Sequence, residues 1–135
     1  MSTDTAAKYA DELVARIEAD VEAGHPFGIS EGYGDTPEGE PLTALDYLTD
    51  GLLDAEVIRS LGGDYRGARL MVGAGGPNVW IDTRRGVLEV AWWSEPVTVQ
   101  LPREFTDALD EAVEELSDLV APTRLVPTET VCAFR

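Results

Sequence analysis

Several residue types are almost missing from this sequence. Its 135 residues include one cysteine (Cys132), one histidine (His25), one lysine (Lys8) and one asparagine (Asn78). A single cysteine excludes a disulfide within the chain, so a reducing compartment, the cytoplasm, is expected. With so few histidines and cysteines there is no ligand spacing of the zinc-site type. We therefore expect no metal and no other cofactor.

Long hydrophobic runs and targeting signals are also missing. No apolar run approaches the about 20 residues that a membrane-spanning helix needs. The first residues, MSTDTAAKYADEL, contain no basic region followed by an apolar stretch, as a secretory signal would. The length and the hydrophobic content of 44% are typical of one folded domain, residues 1–135. These features predict a soluble protein that contacts no membrane.

Positive charge is scarce and unevenly placed. Ten basic residues stand against 26 acidic ones, which gives a formal net charge of -16. Residues 11–56 hold thirteen acidic residues and one arginine, residues 57–103 hold four acidic residues and six arginines, and residues 104–118 hold seven acidic residues and no base. Such a chain is expected to repel DNA, whose affinity for proteins comes largely from lysine and arginine. Cationic proteins are its expected partners.

Hydrophobic spacing predicts three amphipathic, acidic helices. Apolar residues recur about every 3.6 positions near the N-terminus, from about residue 5 to 23, in the middle from Thr43, and again in 103–120. Thr43 and Asp46 have the spacing of a capping box. In the middle helix we expect Leu45, Leu48 and Leu52 to face inward. The segment 27–41 contains glycine, proline and acidic residues without periodicity, which predicts a flexible acidic loop.

Between about 55 and 101 the spacing changes to the alternation typical of strands. Val79 and Ile81 alternate with Trp80 and Asp82, and similar short runs lie on both sides. An antiparallel sheet of four to five strands packed by the three helices, an α+β fold, is the simplest interpretation. The tail from Arg124 is a candidate for a further edge strand.

The stretch GAGGPNVWIDT allows two interpretations. Its glycines could let backbone N–H groups approach a phosphate, and nearby tryptophans could stack on a base. Phosphate loops lead into a helix, however, whereas this stretch leads into a strand, and proline removes an N–H donor. We favour a structural turn with tryptophans that are mostly packed. The residues of this motif are Gly75, Gly76, Pro77, Asn78, Trp80, Asp82, Trp92 and Trp93.

The sequence contains no recognisable set of catalytic residues. His25 lies beside a proline in a loop, which favours a solvated side chain over a general base. Cys132 is near the end of the chain and is better explained as a packed thiol than as a nucleophile. We therefore expect a protein that is not an enzyme.

The functional hypothesis is based on the acidic residues of the helices. They can be solvated faces that keep the protein soluble. Alternatively, carboxylates three and four residues apart, about 5–6 Å from one another, imitate the phosphates of a nucleic-acid strand. The expected contacts are Asp107, Asp110, Glu111, Glu114, Glu115 and Asp118, with a second row formed by Asp46, Asp50 and Asp54.

The segments LTALDYLTDGLLDAEVI, YRGARLMVGAGGPNVWIDTRRGVLEVAWW and FTDALDEAVEEL resemble small acidic proteins of conjugative elements, plasmids and phages. That resemblance covers about residues 42–118 and implies an inhibitor of host defence, anti-CRISPR or anti-restriction in type. The implied partner is a cationic nucleic-acid-binding protein such as a CRISPR effector or a restriction enzyme. Two alternatives stay open: an immunity protein or antitoxin that neutralises a basic nuclease toxin, and a module that binds a small ligand or nucleotide. The chain is expected to be a monomer or a homodimer.

Overall fold

The computed structural model describes residues 3–32, 37–92, 96–120 and 130–134. The elements, in chain order, are α1 (Thr3–Glu22), α2 (Ala44–Gly51), β1 (Asp54–Arg59), β2 (Tyr65–Gly73), β3 (Asn78–Asp82), β4 (Val87–Ala91), β5 (Val97–Gln100), α3 (Arg103–Val120) and β6 (Thr130–Phe134). This arrangement confirms the predicted α+β fold. Within the described ranges, none of the helices combines the length and the apolar character needed to cross a bilayer.

The strands form one antiparallel sheet in the order β5-β4-β3-β2-β1-β6. Four to five strands were expected between about 55 and 101; five are present, and each of the first four pairs with the next one in sequence. β6 adds a sixth strand beside β1, so the prediction of an edge strand in the tail is confirmed. Residues 121–129 lie outside the described part of the chain.

One face of the sheet carries the hydrophobic core. Ile81 pairs with Leu70 on one side and with Leu88 on the other, and all three side chains are fully buried. All three helices lie on this face because each contributes buried side chains to the same cluster. The helical members of the cluster are Ala6, Ala10, Val14, Ile17, Leu48, Phe105, Leu109 and Val113.

The opposite face of the sheet is not covered by any of these helices. We call it the open sheet face; its middle three strands contribute Arg69, Met71, Trp80, Asp82, Val87 and Glu89. The predicted alternation in β3 is therefore confirmed, with Val79 and Ile81 in the core and Trp80 turned away from it.

The middle helix is rotated relative to the prediction. The capping box is present: Thr43 Oγ1 accepts a hydrogen bond from the Asp46 N–H at 3.1 Å, and Asp46 Oδ2 accepts one from the Thr43 N–H at 2.9 Å. Leu48 is buried as expected, but Leu45 is 51% exposed, so the inward prediction is wrong for that residue. The helix buries the stripe of Ala44, Tyr47 and Leu48 instead, because the Tyr47 ring packs against Phe105.

The ends of the loop predicted at 27–41 belong to the folded unit. The Phe27 ring lies 5.1 Å from the Phe105 ring, centroid to centroid. Ile29 forms a bridge with Pro41, and the Gly39 N–H donates to the Ser30 carbonyl at 2.9 Å. The middle of this segment, residues 33–36, lies outside the described residues.

Candidate partner-binding surface

The sequence 103–120 forms a helix with one apolar and one acidic side. Pro102 precedes the helix, and its carbonyl accepts the N–H groups of Phe105 and Thr106 at 3.1 and 3.2 Å. Leu109 and Val113 are fully buried, and Phe105 is nearly so. Because helix positions three and four apart share a side, the intervening acidic positions must face outward.

Six exposed carboxylates form one stripe on the outer side of α3. At 3.6 residues per turn they fall within a sector of about 100° of the helix circumference and extend over about 21 Å. We call this stripe the acidic ridge. Its members are Glu104, Asp107, Glu111, Glu114, Glu115 and Asp118. Five of the six are predicted contact residues; Glu104 was left out of that set although its spacing fits the same stripe.

Asp110, the sixth predicted contact on this helix, does not belong to the acidic ridge. Its Oδ1 accepts hydrogen bonds from the Tyr65 hydroxyl at 2.7 Å and from the Thr83 hydroxyl at 2.8 Å. Asp110 is half-buried. Burial, followed by the hydrogen bond to Asp110 and the charge of that carboxylate, raises the pKa of Tyr65 above its ordinary value. The carboxylate therefore connects α3 to the sheet and is not free for a partner.

Asp118 keeps its place on the ridge but has a cation beside it. Arg59 Nη2 lies 3.3 Å from Asp118 Oδ1 and donates to Ser117 Oγ at 2.6 Å. The Arg59 side chain is 15% exposed, whereas that of Asp118 is 66% exposed. A cation at the C-terminal end of a helix also interacts favourably with the helix dipole. Arg59 thus holds the last turn of α3 and reduces the net charge of that end of the ridge.

The predicted second row is not formed. Asp46 is half-buried and holds the N-terminal cap of α2, and Asp50 is exposed on the same helix. The helix ends at Gly51, so Asp54 is the first residue of β1. Since the next residue, Ala55, points into the core, Asp54 lies toward the open sheet face. These three aspartates do not line one helix side.

The glycine-rich motif is a strand-to-strand connection. β2 ends at Gly73 and β3 begins at Asn78; Gly75 has a φ of +95° and Gly76 and Asn78 are exposed. No helix follows the motif, so it lacks the helix N-terminus that phosphate loops use. The motif thus joins two strands, as a turn would.

The tryptophans occupy different environments. Trp92 makes an edge-to-face contact with Tyr9 of α1 at 6.0 Å, on the helical side of the sheet. Trp80 is half-buried on the open sheet face, where the guanidinium carbon of Arg69 lies 4.3 Å from its ring centroid. Trp93 lies outside the described residues.

Sequence reasoning missed a charged cluster around Trp80. Glu89, its cross-strand neighbour, accepts from Arg69 Nη2 at 2.8 Å and lies 3.4 Å from Arg85 Nη1. The sequence nevertheless indicates this cluster. Arg69, Trp80 and Glu89 each alternate with core residues along their strands, which places them on the same face of the sheet.

The environment of His25 differs from the prediction. His25 is 21% exposed rather than solvated, and its Nδ1 lies 3.8 Å from Asp20 Oδ1. No cluster of histidine, cysteine, aspartate and glutamate in the described ranges could hold a metal ion.

No protein-family model matches the chain, and neither a curated protein nor a solved structure matches it. The resemblance to acidic proteins of mobile elements therefore stays a prediction.

Proposed function

We propose that this protein is a non-enzymatic inhibitor that binds, through the acidic ridge, in the cationic groove of a nucleic-acid-binding protein. The target class we favour is a host-defence nuclease such as a CRISPR effector or a restriction enzyme. The observation that supports the proposal is the grouping of six exposed carboxylates on one side of α3 with no lysine or arginine between them. A helix that served solubility alone would ordinarily mix both signs of charge.

The spacing of the ridge supports imitation of a polynucleotide backbone. Neighbouring carboxylates at i+3 and i+4 are about 5–6 Å apart, and the ridge is about 21 Å long. A groove that neutralises phosphates with lysine and arginine offers cations along a comparable path. Binding there would exclude the nucleic acid by occupying the same cations.

The contacts that hold α3 in place support the idea that the acidic ridge is already ordered before binding. The helix is fixed by buried Phe105, Leu109 and Val113 and by two polar connections, Tyr65 to Asp110 and Arg59 to Ser117. A surface that is already ordered loses less conformational entropy on binding than a mobile one. Long-range attraction between the ridge and a cationic groove would make association fast and sensitive to salt.

The test compares two charge-matched triple variants. Glu111→Lys, Glu114→Lys and Glu115→Lys alter the ridge; Asp11→Lys, Glu12→Lys and Glu18→Lys alter exposed positions of α1 by the same net charge. The ridge variant should lose inhibition at least about a hundredfold, whereas the α1 variant should lose far less, because close charge pairs each carry several kcal/mol. Equal losses would mean that net charge alone acts and would overturn the proposal.

The assay also separates the target classes. Cleavage of DNA or RNA by a CRISPR effector, a restriction enzyme and a basic toxin nuclease is measured with and without the protein. Inhibition of either of the first two supports the defence target, and inhibition of the toxin alone supports the antitoxin alternative. Failure to bind or inhibit any of the three contradicts the proposal. Asp110 stays unchanged in every variant, since its replacement is expected to destabilise the fold.

A further inference from the structure

The open sheet face differs in charge from the rest of the molecule. In its middle strands Glu89 is held by both Arg69 and Arg85, so these charges are already paired within the chain. Arg84 lies in the same turn as Arg85, with its side chain against Gly67 of β2. The helical layer on the other side carries the acidic ridge and the acidic residues of α1 and α2. Among the described residues, the helical layer is therefore strongly anionic, whereas the open sheet face carries charges of both signs, with Asp54, Asp82 and Glu89 beside Arg69, Arg84 and Arg85.

The open sheet face also has apolar and aromatic content. Met71 is the cross-strand neighbour of Trp80, and both are half-buried although none of the three described helices covers them. Val87 is only 7% exposed and yet does not belong to the core cluster. The Trp80 ring lies between Met71 and Glu89 on this face, with the Arg69 guanidinium over it. Tryptophan and arginine are the residues most often found at the centre of protein interfaces.

We infer that the open sheet face binds a second copy of this chain, giving a dimer in which two sheets pack back to back and the helical layers face outward. The inference does not depend on the proposed function. The distribution of charge indicates which partner binds this face. Two chains of net charge -16 repel each other through their helical layers, and the open sheet face is the side on which that repulsion is smallest.

Nucleic acid is a poorer occupant of the same face. Binding to phosphates depends on lysines and arginines that are free to neutralise them. Arg69 lies over Trp80 and is bound to Glu89, and Arg85 contacts the same carboxylate. A polyanion would have to compete with Glu89 for both cations. A second copy presents the same neutral surface, and a two-fold axis makes such a surface complementary to itself.

The dimensions are sufficient for a weak dimer. With strands about 4.8 Å apart and about 3.3 Å per residue, six strands of about five residues cover roughly 29 by 17 Å. Two such faces bury about 1,000 Å² in total, the lower end of specific interfaces. Sheets packed in this way lie about 10 Å apart with their strands within about 30° of each other. The dimer would present two acidic ridges on opposite sides.

The experiment is sedimentation equilibrium of the full chain over a range of protein concentrations and at low and high salt. We expect a reversible dimer whose dissociation constant falls as salt rises, because salt screens the repulsion between the two acidic chains. Binding of a cationic partner through the acidic ridge should have the opposite salt dependence, with a dissociation constant that rises with salt. A protein that stays monomeric at every concentration, or a dimer that salt dissociates, overturns the inference.

Variants locate the interface. Trp80→Ser should raise the dissociation constant at least about tenfold, as for other central tryptophans. Leu45→Ser, at a position 51% exposed on the helical layer, is the matched control and should leave it unchanged. Loss of the dimer in the Leu45 variant would place the interface on the helical layer and overturn the inference. If circular dichroism shows that Trp80→Ser does not fold, Met71→Lys tests the same face, and an unchanged dissociation constant there counts against it.

Discussion

The Tyr65 hydroxyl donates a 2.7 Å hydrogen bond to Oδ1 of Asp110, and this bond joins the acidic helix to the second strand of the sheet. Thr83 donates to the same oxygen at 2.8 Å and accepts the Ala68 N–H at 2.8 Å. A single carboxylate therefore connects α3 with β2 and with the turn after β3. Hydrogen bonds to a charged acceptor are about twice as strong as neutral ones, which offsets the cost of half-burying Asp110.

Replacement of Asp110 should destabilise the protein far more than replacement of a ridge residue. Asp110→Ala removes a charged acceptor and leaves the Tyr65 hydroxyl without its partner, so the free energy of unfolding should fall by about 2–3 kcal/mol. Asp107→Ala, about one turn away and exposed, should change it by no more than about 0.5 kcal/mol. Urea unfolding measures both values. Similar values for the two variants would mean that the Asp110 contacts contribute nothing to stability.

Stability should also decrease at alkaline pH because of two half-buried tyrosines. Burial raises the pKa of Tyr47 to about 12, and burial together with Asp110 raises the pKa of Tyr65. Unfolded tyrosine ionises near pH 10, so the unfolded chain loses these protons first. For Tyr47, the contribution of the raised pKa to stability is complete below about pH 10 and is lost as pH rises through about 12, by up to about 1.4 kcal/mol per pH unit.

Chemical denaturation between pH 9 and 12, values that bracket the ordinary tyrosine pKa, tests this expectation. Tyr47→Phe should make the loss of stability with pH less steep. An identical slope in wild type and Tyr47→Phe would show that ionisation of Tyr47 is not linked to unfolding.

The orientation of β3 was predictable because its apolar and polar residues alternate strictly. Val79 and Ile81 are inward, and this alone places Trp80 on the other face. The role of Asp110 was not predictable in the same way. On a helical projection it lies at the edge of the acidic stripe, and its burial depends on Tyr65 and Thr83, which are 45 and 27 residues away in sequence. The position of Asp54 depended on where α2 ends, and helix ends are poorly determined by sequence.

The contribution of the Thr43 cap to stability should be measurable, because α2 offers two threonines for comparison. Thr43 is its N-cap and Thr49 lies in its body. Thr43→Ala removes the acceptor of the Asp46 N–H and should cost about 1 kcal/mol. Thr49→Ala, in the body of the same helix, removes only a hydroxyl that donates to the Leu45 carbonyl. Because alanine has the higher helix propensity, that change should be neutral or slightly stabilising. Thermal unfolding of both variants checks the difference, and a larger loss in Thr49→Ala would contradict the assignment of the cap.

Gly67 should be intolerant of any side chain, unlike Gly76 in the turn that follows β2. Its φ is +144°, and an added Cβ would collide with the Arg84 side chain that lies across it. Strain of this type costs about 1–3 kcal/mol, so Gly67→Ala should lower the free energy of unfolding by that amount. Gly76→Ala is the matched control: its φ is not in the glycine region and a Cβ there meets no atom within 4 Å.

The two contributions at Gly67 can be separated with a double-mutant cycle. Arg84→Ala in the Gly67→Ala background should restore the part of the stability that the collision removes, whereas the part due to backbone strain should remain. Gly76→Ala should be neutral or stabilising by up to about 1 kcal/mol, since alanine restricts the unfolded chain. If Gly67→Ala changes the free energy of unfolding no more than Gly76→Ala does, then the Arg84 side chain does not lie across β2 in solution. The described positions of the neighbouring arginines would then also be in doubt.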